Sequence, residues 1–276
     1  MDTLFKQLRI GDFDRAALSN SIKLDMPVSV KPTNSYNDQD YGWDTPIKCG
    51  SASEGREAAN QIVKLIESNY YNFGGWSNAF DIILDVILYA LTGNEDEYLR
   101  IVKTLKKEAL DCTVKVYSIL FKALYYDFCI QDILGEVYMR VGSLSKSKHF
   151  GQFFTPMHVC DLMARISLGD IKEQIKKAKE ENKKITVNDP CVGSGAMLLA
   201  CKKAIIEEVG ISGLAYFEFY GIDIEKTCVN MCKIQMILTD YKYMANLLLS
   251  KALEIRQKMD SNKNSKQHEQ LPSLFA

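Results

Sequence analysis

Ile185-Thr186-Val187-Asn188-Asp189-Pro190-Cys191-Val192-Gly193-Ser194-Gly195-Ala196 is the stretch that decides the fold. Its first three residues form a short β-branched run that reads as a strand. The turn Cys191 to Gly195 follows, and residues 196–208 then carry helical spacing. Downstream, residues 216–224 read as a second strand and 225–258 as helix. Upstream, residues 156–168 are predicted helical, with Thr155 as the cap and Pro156 at the first helical position, where a missing N–H costs nothing. Residues 170–184 are rich in Lys and Glu and read as a helix with a solvated face. Strands alternating with helices imply a parallel, doubly wound sheet. Ligands of such sheets bind outside the carboxyl ends of the strands.

The turn carries the chemistry. Gly193 and Gly195 let the backbone bend sharply and come close to a ligand. The helix starting near Ala196 points free N–H groups into the same crevice. The Asp189 carboxylate suits a cationic amine. At the end of the second strand stands Gly221-Ile222-Asp223-Ile224-Glu225. An acid there, about thirty residues after the glycines, suits a bidentate grip on ribose hydroxyls. The spacing is not GxGxxG, and the sequence holds no GxxxxGK[ST]. A ribose acid without a pyrophosphate motif favours a nucleoside such as S-adenosylmethionine over a dinucleotide. A third piece, Gly151-Gln152-Phe153-Phe154-Thr155-Pro156, is on its own a capped helix start and nothing more.

In this order, GQFFTP, DPCVGSG and GIDIE resemble the cofactor motifs of adenine-N6 DNA methyltransferases, above all the modification subunit of type I restriction systems. The resemblance covers residues 109–236 and is most specific from His149 through Gly195. It implies an α/β fold: a helical N-terminal domain followed by an incomplete Rossmann-like S-adenosylmethionine-dependent methyltransferase domain. It also implies that Phe153, Phe154, Thr155 and Pro156 line the methionine side of the cofactor. Asp189, Pro190, Gly193, Ser194 and Gly195 would form the turn beneath it, Asp223 would hold the ribose, and Ile222 and Ile224 would flank the adenine.

The rest of the 276 residues fits this layout. Residues 1–52 read as an irregular segment with a loop at KPTNSYNDQDYGWDTP. Ala58, Ala59, Ile62, Val63 and Ile66 give an amphipathic helix, and Phe80, Ile82, Ile83, Val86, Ile87 and Leu91 a strongly apolar one. Two further helical stretches, residues 95–105 and 109–141, complete a helical domain over 53–145. A partial cofactor-binding domain over 146–258 and a polar tail over 259–276 follow. The longest apolar stretch, residues 80–91, is broken by Asp81 and Asp85 and is too short to cross a bilayer. With no signal-like N-terminus, the expectation is a cytoplasmic protein. The eight cysteines lack CxxC spacing, and only Cys228 with Cys232 stand one helical turn apart. They read as buried reduced thiols rather than metal ligands.

Formal net charge is -1, so the chain as a whole lacks the basic excess of a protein that binds DNA alone. DNA contact is expected through a complex. The family's chemistry also needs Asn or Asp followed by Pro-Pro and an aromatic, which accept the target amine and stack on a flipped base. No Pro-Pro occurs in the sequence, and Asp240-Tyr241 reads as a surface pair inside a helix. The expected function is the S-adenosylmethionine-binding subunit of a DNA adenine-N6 methyltransferase of restriction-modification type. A partner subunit or missing segment would supply the catalytic and recognition parts. The alternative is a non-catalytic methyltransferase-like binding or regulatory protein.

Overall fold

A computed structural model describes residues 45–144 and 154–240. The expectations for residues 1–44, for Phe153 and for the tail lie outside the described residues.

Helix α1 (Ala52–Asn69) buries Ala58, Ala59, Ile62, Val63 and Ile66, the residues whose spacing marks its inner face. Its start is fixed by Glu54, whose Oε2 accepts the Ser51 N–H at 2.6 Å. A 3-10 turn, Tyr70–Phe73, ends at Gly74, and Tyr70 stacks on Trp76 with ring centroids 4.3 Å apart. Helix α2 (Trp76–Thr92) stops at Gly93, whose φ of 67° needs no Cβ to be comfortable. Asn94 then caps the short α3 (Glu95–Val102) by accepting the Glu97 N–H.

The long helix expected over residues 109–141 is two helices. Helix α4 (Lys107–Phe121) runs into a π-helical turn, Lys122–Tyr126, and the chain leaves helical geometry before α5 (Ile133–Leu144). The break has a physical cause without a sequence flag. Phe128 takes a left-handed φ of 51°, and its carbonyl accepts the Gly50 N–H at 2.9 Å. Phe128 and Ile130 stay buried, so hydrophobic periodicity continues through the break.

Helix α6 (Met157–Leu168) starts one residue later than expected. Pro156 holds the capping position with ψ of 137°, and no side chain caps the helix. Thr155 therefore lies one residue too far upstream to reach the free amides. Helix α7 (Ile171–Glu181) is capped by Asp170, which accepts the Glu173 N–H at 2.9 Å. It buries Ile171, Ile175 and Ala178 and solvates the rest of its Lys/Glu face.

Strand β1 (Ile185–Asp189) pairs in parallel with β2 (Phe217–Gly221), Ile185 opposite Phe217 and Asp189 opposite Gly221. Helix α8 (Ala196–Val209) and a 3-10 turn, Ile211–Tyr216, make the crossover between them. The second strand is shorter than the 216–224 expected. After Gly221 the pairing passes to the glycine turn: the Ile222 N–H donates to the Asp189 carbonyl at 3.0 Å, and the Val192 N–H to the Ile222 carbonyl at 2.9 Å. The described residues are thus mostly helical around a two-stranded parallel sheet.

The last described helix, α9 (226–240), touches two hydrophobic cores. Cys228, Met231, Ile234 and Leu238 join the core of α1, α2, α4 and α5. Cys232 and Met236 join the core formed by α6, α7, α8 and the sheet. The two aspartates that interrupt the apolar run of α2 are anchors for this helix. Asp81 accepts Thr227 Oγ1 at 2.7 Å, and Asp85 accepts Asn230 Nδ2 at 2.7 Å and Lys226 Nζ at 2.8 Å.

Candidate functional site

The register of the sheet sets Asp189 beside Gly221 at the carboxyl ends of both strands, so both acidic pieces emerge at one edge. Asp189 Oδ1 accepts the Cys191 N–H at 3.0 Å, closing the start of the turn. Pro190 and Cys191 are exposed there; Cys191 thus departs from the buried-thiol expectation. Asp223 reaches across: its Oδ2 accepts the Gly193 N–H at 2.8 Å, and its Oδ1 accepts the Glu225 N–H at 2.9 Å. The glycine turn and the acid thirty residues later therefore meet directly.

Gly195, with φ of 98°, opens α8. A Cβ there would stand 2.9 Å from Cys232 Sγ and 3.2 Å from the Cys232 Cα, so both backbone angle and packing require glycine. Gly193 has φ of 53°, and a Cβ on it would stand 3.1 Å from the Phe154 ring. Phe154 also packs on Tyr138, ring centroids 5.6 Å apart, which ties the third piece to the helical core.

Thr155 and Pro156, next in the chain after Phe154, are exposed. All three line a cleft of about 890 Å³ shared with Asp132, Glu136 and Arg140; Asp189, Gly193 and Asp223 do not line it. Ile222 is 46% exposed and Ile224 fully exposed beside Asp223, open to a flat ligand. Ser194 is buried in the turn, and its hydroxyl donates to Asp132 at 2.5 Å.

The sequence reading passes over three polar residues here. Asp132 precedes α5 and carries the ordinary mark of a helix cap. Gln235 is fully buried on α9 and donates to Asp132 Oδ1 at 2.9 Å and to the Ser194 carbonyl at 3.0 Å. Lys202 sits on α8 with no exposed surface. It donates to Asp240 Oδ1 at 2.6 Å, Thr239 Oγ1 at 2.9 Å and the Met236 carbonyl at 3.2 Å. Asp240 is therefore half of a largely buried ion pair, not part of a surface pair. The one available signal was a lysine inside the apolar run of α8.

Among the described residues no group of three or more His, Cys, Asp or Glu side chains is arranged to hold a metal ion. None of their helices is long and apolar enough to cross a membrane.

Residues 129–268 match the family described as N-6 DNA Methylase, and the chain belongs to that family. Over 115 residues it is 31% identical to the methylase subunit of the type I restriction enzyme MpnII of Mycoplasma pneumoniae, a stretch that is 41% of this chain. The chain spans 19% of the length of that curated relative. It also matches the crystal structure of the type I restriction-modification methyltransferase subunit of Streptococcus thermophilus at 13% identity. There the TM-score is 0.33, over 68% of this chain and 56% of the other.

Proposed function

We propose that this chain is the S-adenosylmethionine-binding part of a DNA adenine-N6 methyltransferase of restriction-modification type. The observation that carries the reading is the contact of Gly193 with Asp223 at the carboxyl ends of two parallel strands. An open α/β sheet binds its ligand there. On this reading residues 53–145 are a helical domain, and 146–258 part of a Rossmann-like cofactor domain.

The residues present fit the cofactor. Each oxygen of Asp223 accepts one backbone N–H and keeps a lone pair for a ribose hydroxyl. Asp189 uses Oδ1 on its own turn and leaves its second oxygen for an ammonium group. Ile222 and Ile224 offer apolar surface to an adenine. Gly193 and Gly195 keep the turn low enough for close approach, with Ser194 and Pro190 shaping it. Phe153, Phe154, Thr155 and Pro156 would border the methionine side. When bound, S-adenosylmethionine supplies a methyl group on a sulfonium centre. This chain's residues bind and orient it.

On this reading a partner subunit or a further segment supplies the acceptor motif and the recognition region, and DNA is met in that complex. Calorimetry of the full chain with S-adenosylmethionine tests the binding. Binding is expected, weakened roughly tenfold or more in Asp223→Ala, the loss of a charge-assisted contact of about 1.5–3 kcal/mol. A folded Asp223→Ala with unchanged affinity would remove the ribose assignment. Labelled methyl transfer from the chain alone to mixed-sequence DNA should stay at background. Incorporation lost on Asp189→Ala would show that the chain carries its own acceptor.

A further inference from the structure

Ser194 is buried within the glycine turn, and both its hydroxyl and its carbonyl are met by polar side chains. Its hydroxyl donates to Asp132 Oδ2 at 2.5 Å, across 62 residues of sequence. Asp132 Oδ1 accepts the Gly135 N–H at 3.0 Å and Gln235 Nε2 at 2.9 Å. The same Nε2 holds the Ser194 carbonyl at 3.0 Å, while Gln235 Oε1 accepts the Leu134 N–H at 3.0 Å. Side chain and main chain of Ser194 are thus both held, one by the start of α5 and the other by the middle of α9. The packing on the Gly135 side is close: a side chain there would collide with both the Asp132 carboxylate and the Ser194 hydroxyl.

Capping α5 needs only one carboxylate oxygen and no burial. The Gly135 contact meets that need. The second oxygen is directed instead at the turn, in a short charge-assisted hydrogen bond. Asp132 as a residue is half-buried and borders the cleft, yet burial around its carboxyl is the leading cause that raises its pKa above the usual range, opposed by the hydrogen bonds from Gln235, Ser194 and Gly135. A helix cap alone does not explain that arrangement.

We propose that Asp132 is a positioning residue for the glycine turn: through Ser194 and Gln235 it sets the backbone of residues 192–195 before a ligand arrives. The inference rests on the reading of that turn as the cofactor site. It makes the start of α5, in the helical part of the chain, a determinant of affinity at the sheet edge.

The test uses the full chain and four variants, Asp132→Ala, Asp132→Asn, Ser194→Ala and the double alanine variant. Two quantities are read: amide hydrogen exchange of residues 191–199, and the affinity for S-adenosylmethionine. In Asp132→Ala the turn should exchange roughly tenfold faster, and affinity should fall roughly tenfold. Asp132→Asn should restore most of both, because its oxygen still accepts from Gln235 and Gly135 and the Ser194 hydroxyl can turn to accept from its amide. Asp132→Ala should add less than its full single-variant loss once Ser194 is alanine, because the hydroxyl contact is then already gone and only the route through Gln235 remains. Wild-type exchange and affinity in Asp132→Ala would overturn the proposal, and so would losses that add in full to those of Ser194→Ala. If the unmodified chain binds no S-adenosylmethionine, the cofactor reading falls by itself. The exchange arm then decides alone: faster exchange reversed by Asp132→Asn upholds the positioning role, unchanged exchange rejects it. Should Asp132→Ala not fold, Ser194→Ala against the unmodified chain makes the same decision.

Discussion

Cys191 stands in the glycine turn with its side chain exposed, whereas the other seven cysteines are buried. Burial does more than hide them. It pushes the thiols of Cys129, Cys228 and Cys232 up to about 12 and those of Cys160 and Cys201 up to about 11, with nearby carboxylates adding in the same direction. The thiolate is the reactive form, so these groups are doubly protected at neutral pH. A disulfide reagent such as dithionitrobenzoate at pH 8 should label one thiol per folded chain, at Cys191. The remainder should react only after denaturant is added. Two or more fast equivalents, located by peptide mass spectrometry, would show that a buried position opens readily. Saturating S-adenosylmethionine should slow the labelling of Cys191, which belongs to the turn beneath the proposed ligand.

Among the elements, the β1–turn–α8 unit is the most constrained. Gly195 ends the turn at φ of 98° with its missing side chain pressed against Cys232 of α9. Gly195→Val therefore imposes an unfavourable backbone angle and an overpacked contact at once. It should cost roughly 2–4 kcal/mol, read as a lower midpoint in urea with an unchanged slope. A variant of native stability would mean that the turn relaxes without loss. This unit was legible in the sequence because its signals are local: a β-branched run, two glycines, then helical spacing. Most helices of the N-terminal half were legible for the same reason, since Ala58, Ile62 and Ile66 recur every turn and all are buried. The break after Phe121 was not. Its left-handed Phe128 is stabilised by Gly50, far away in the chain, and no glycine or proline marks the spot. The Asp132–Ser194–Gln235 contacts were illegible on the same grounds, because partners 62 and 103 residues apart share no pattern. The Gly193–Asp223 contact was foreseeable only as a shared ligand site; that the two bond each other directly emerged from the fold.

For the whole molecule, α9 is the member common to both hydrophobic cores, and its far end is held by Lys202. That lysine has no exposed surface, while Asp240 keeps 22% of its side chain exposed. The two partners are therefore not equivalent. Asp240→Leu leaves a cation stranded in the interior and should cost about 3–5 kcal/mol. Lys202→Met removes the buried charge, keeps most of the volume, and leaves a carboxylate that can still reach water, so its cost should be well below that. The double variant should recover most of what Asp240→Leu loses. Thermal midpoints of the three variants check this ranking; equal losses for the two single changes would refute it. The asymmetry also orders the route by which such a protein can drift. From the charged pair to an apolar one, exchanging the lysine first is the less costly order, because the path through the lone lysine gives up about 3–5 kcal/mol of the roughly 5–15 kcal/mol that holds a native protein folded. Reversing the journey favours the aspartate arriving before the lysine. Two letters 38 positions apart thus behave as one inherited character with a favoured sequence of changes.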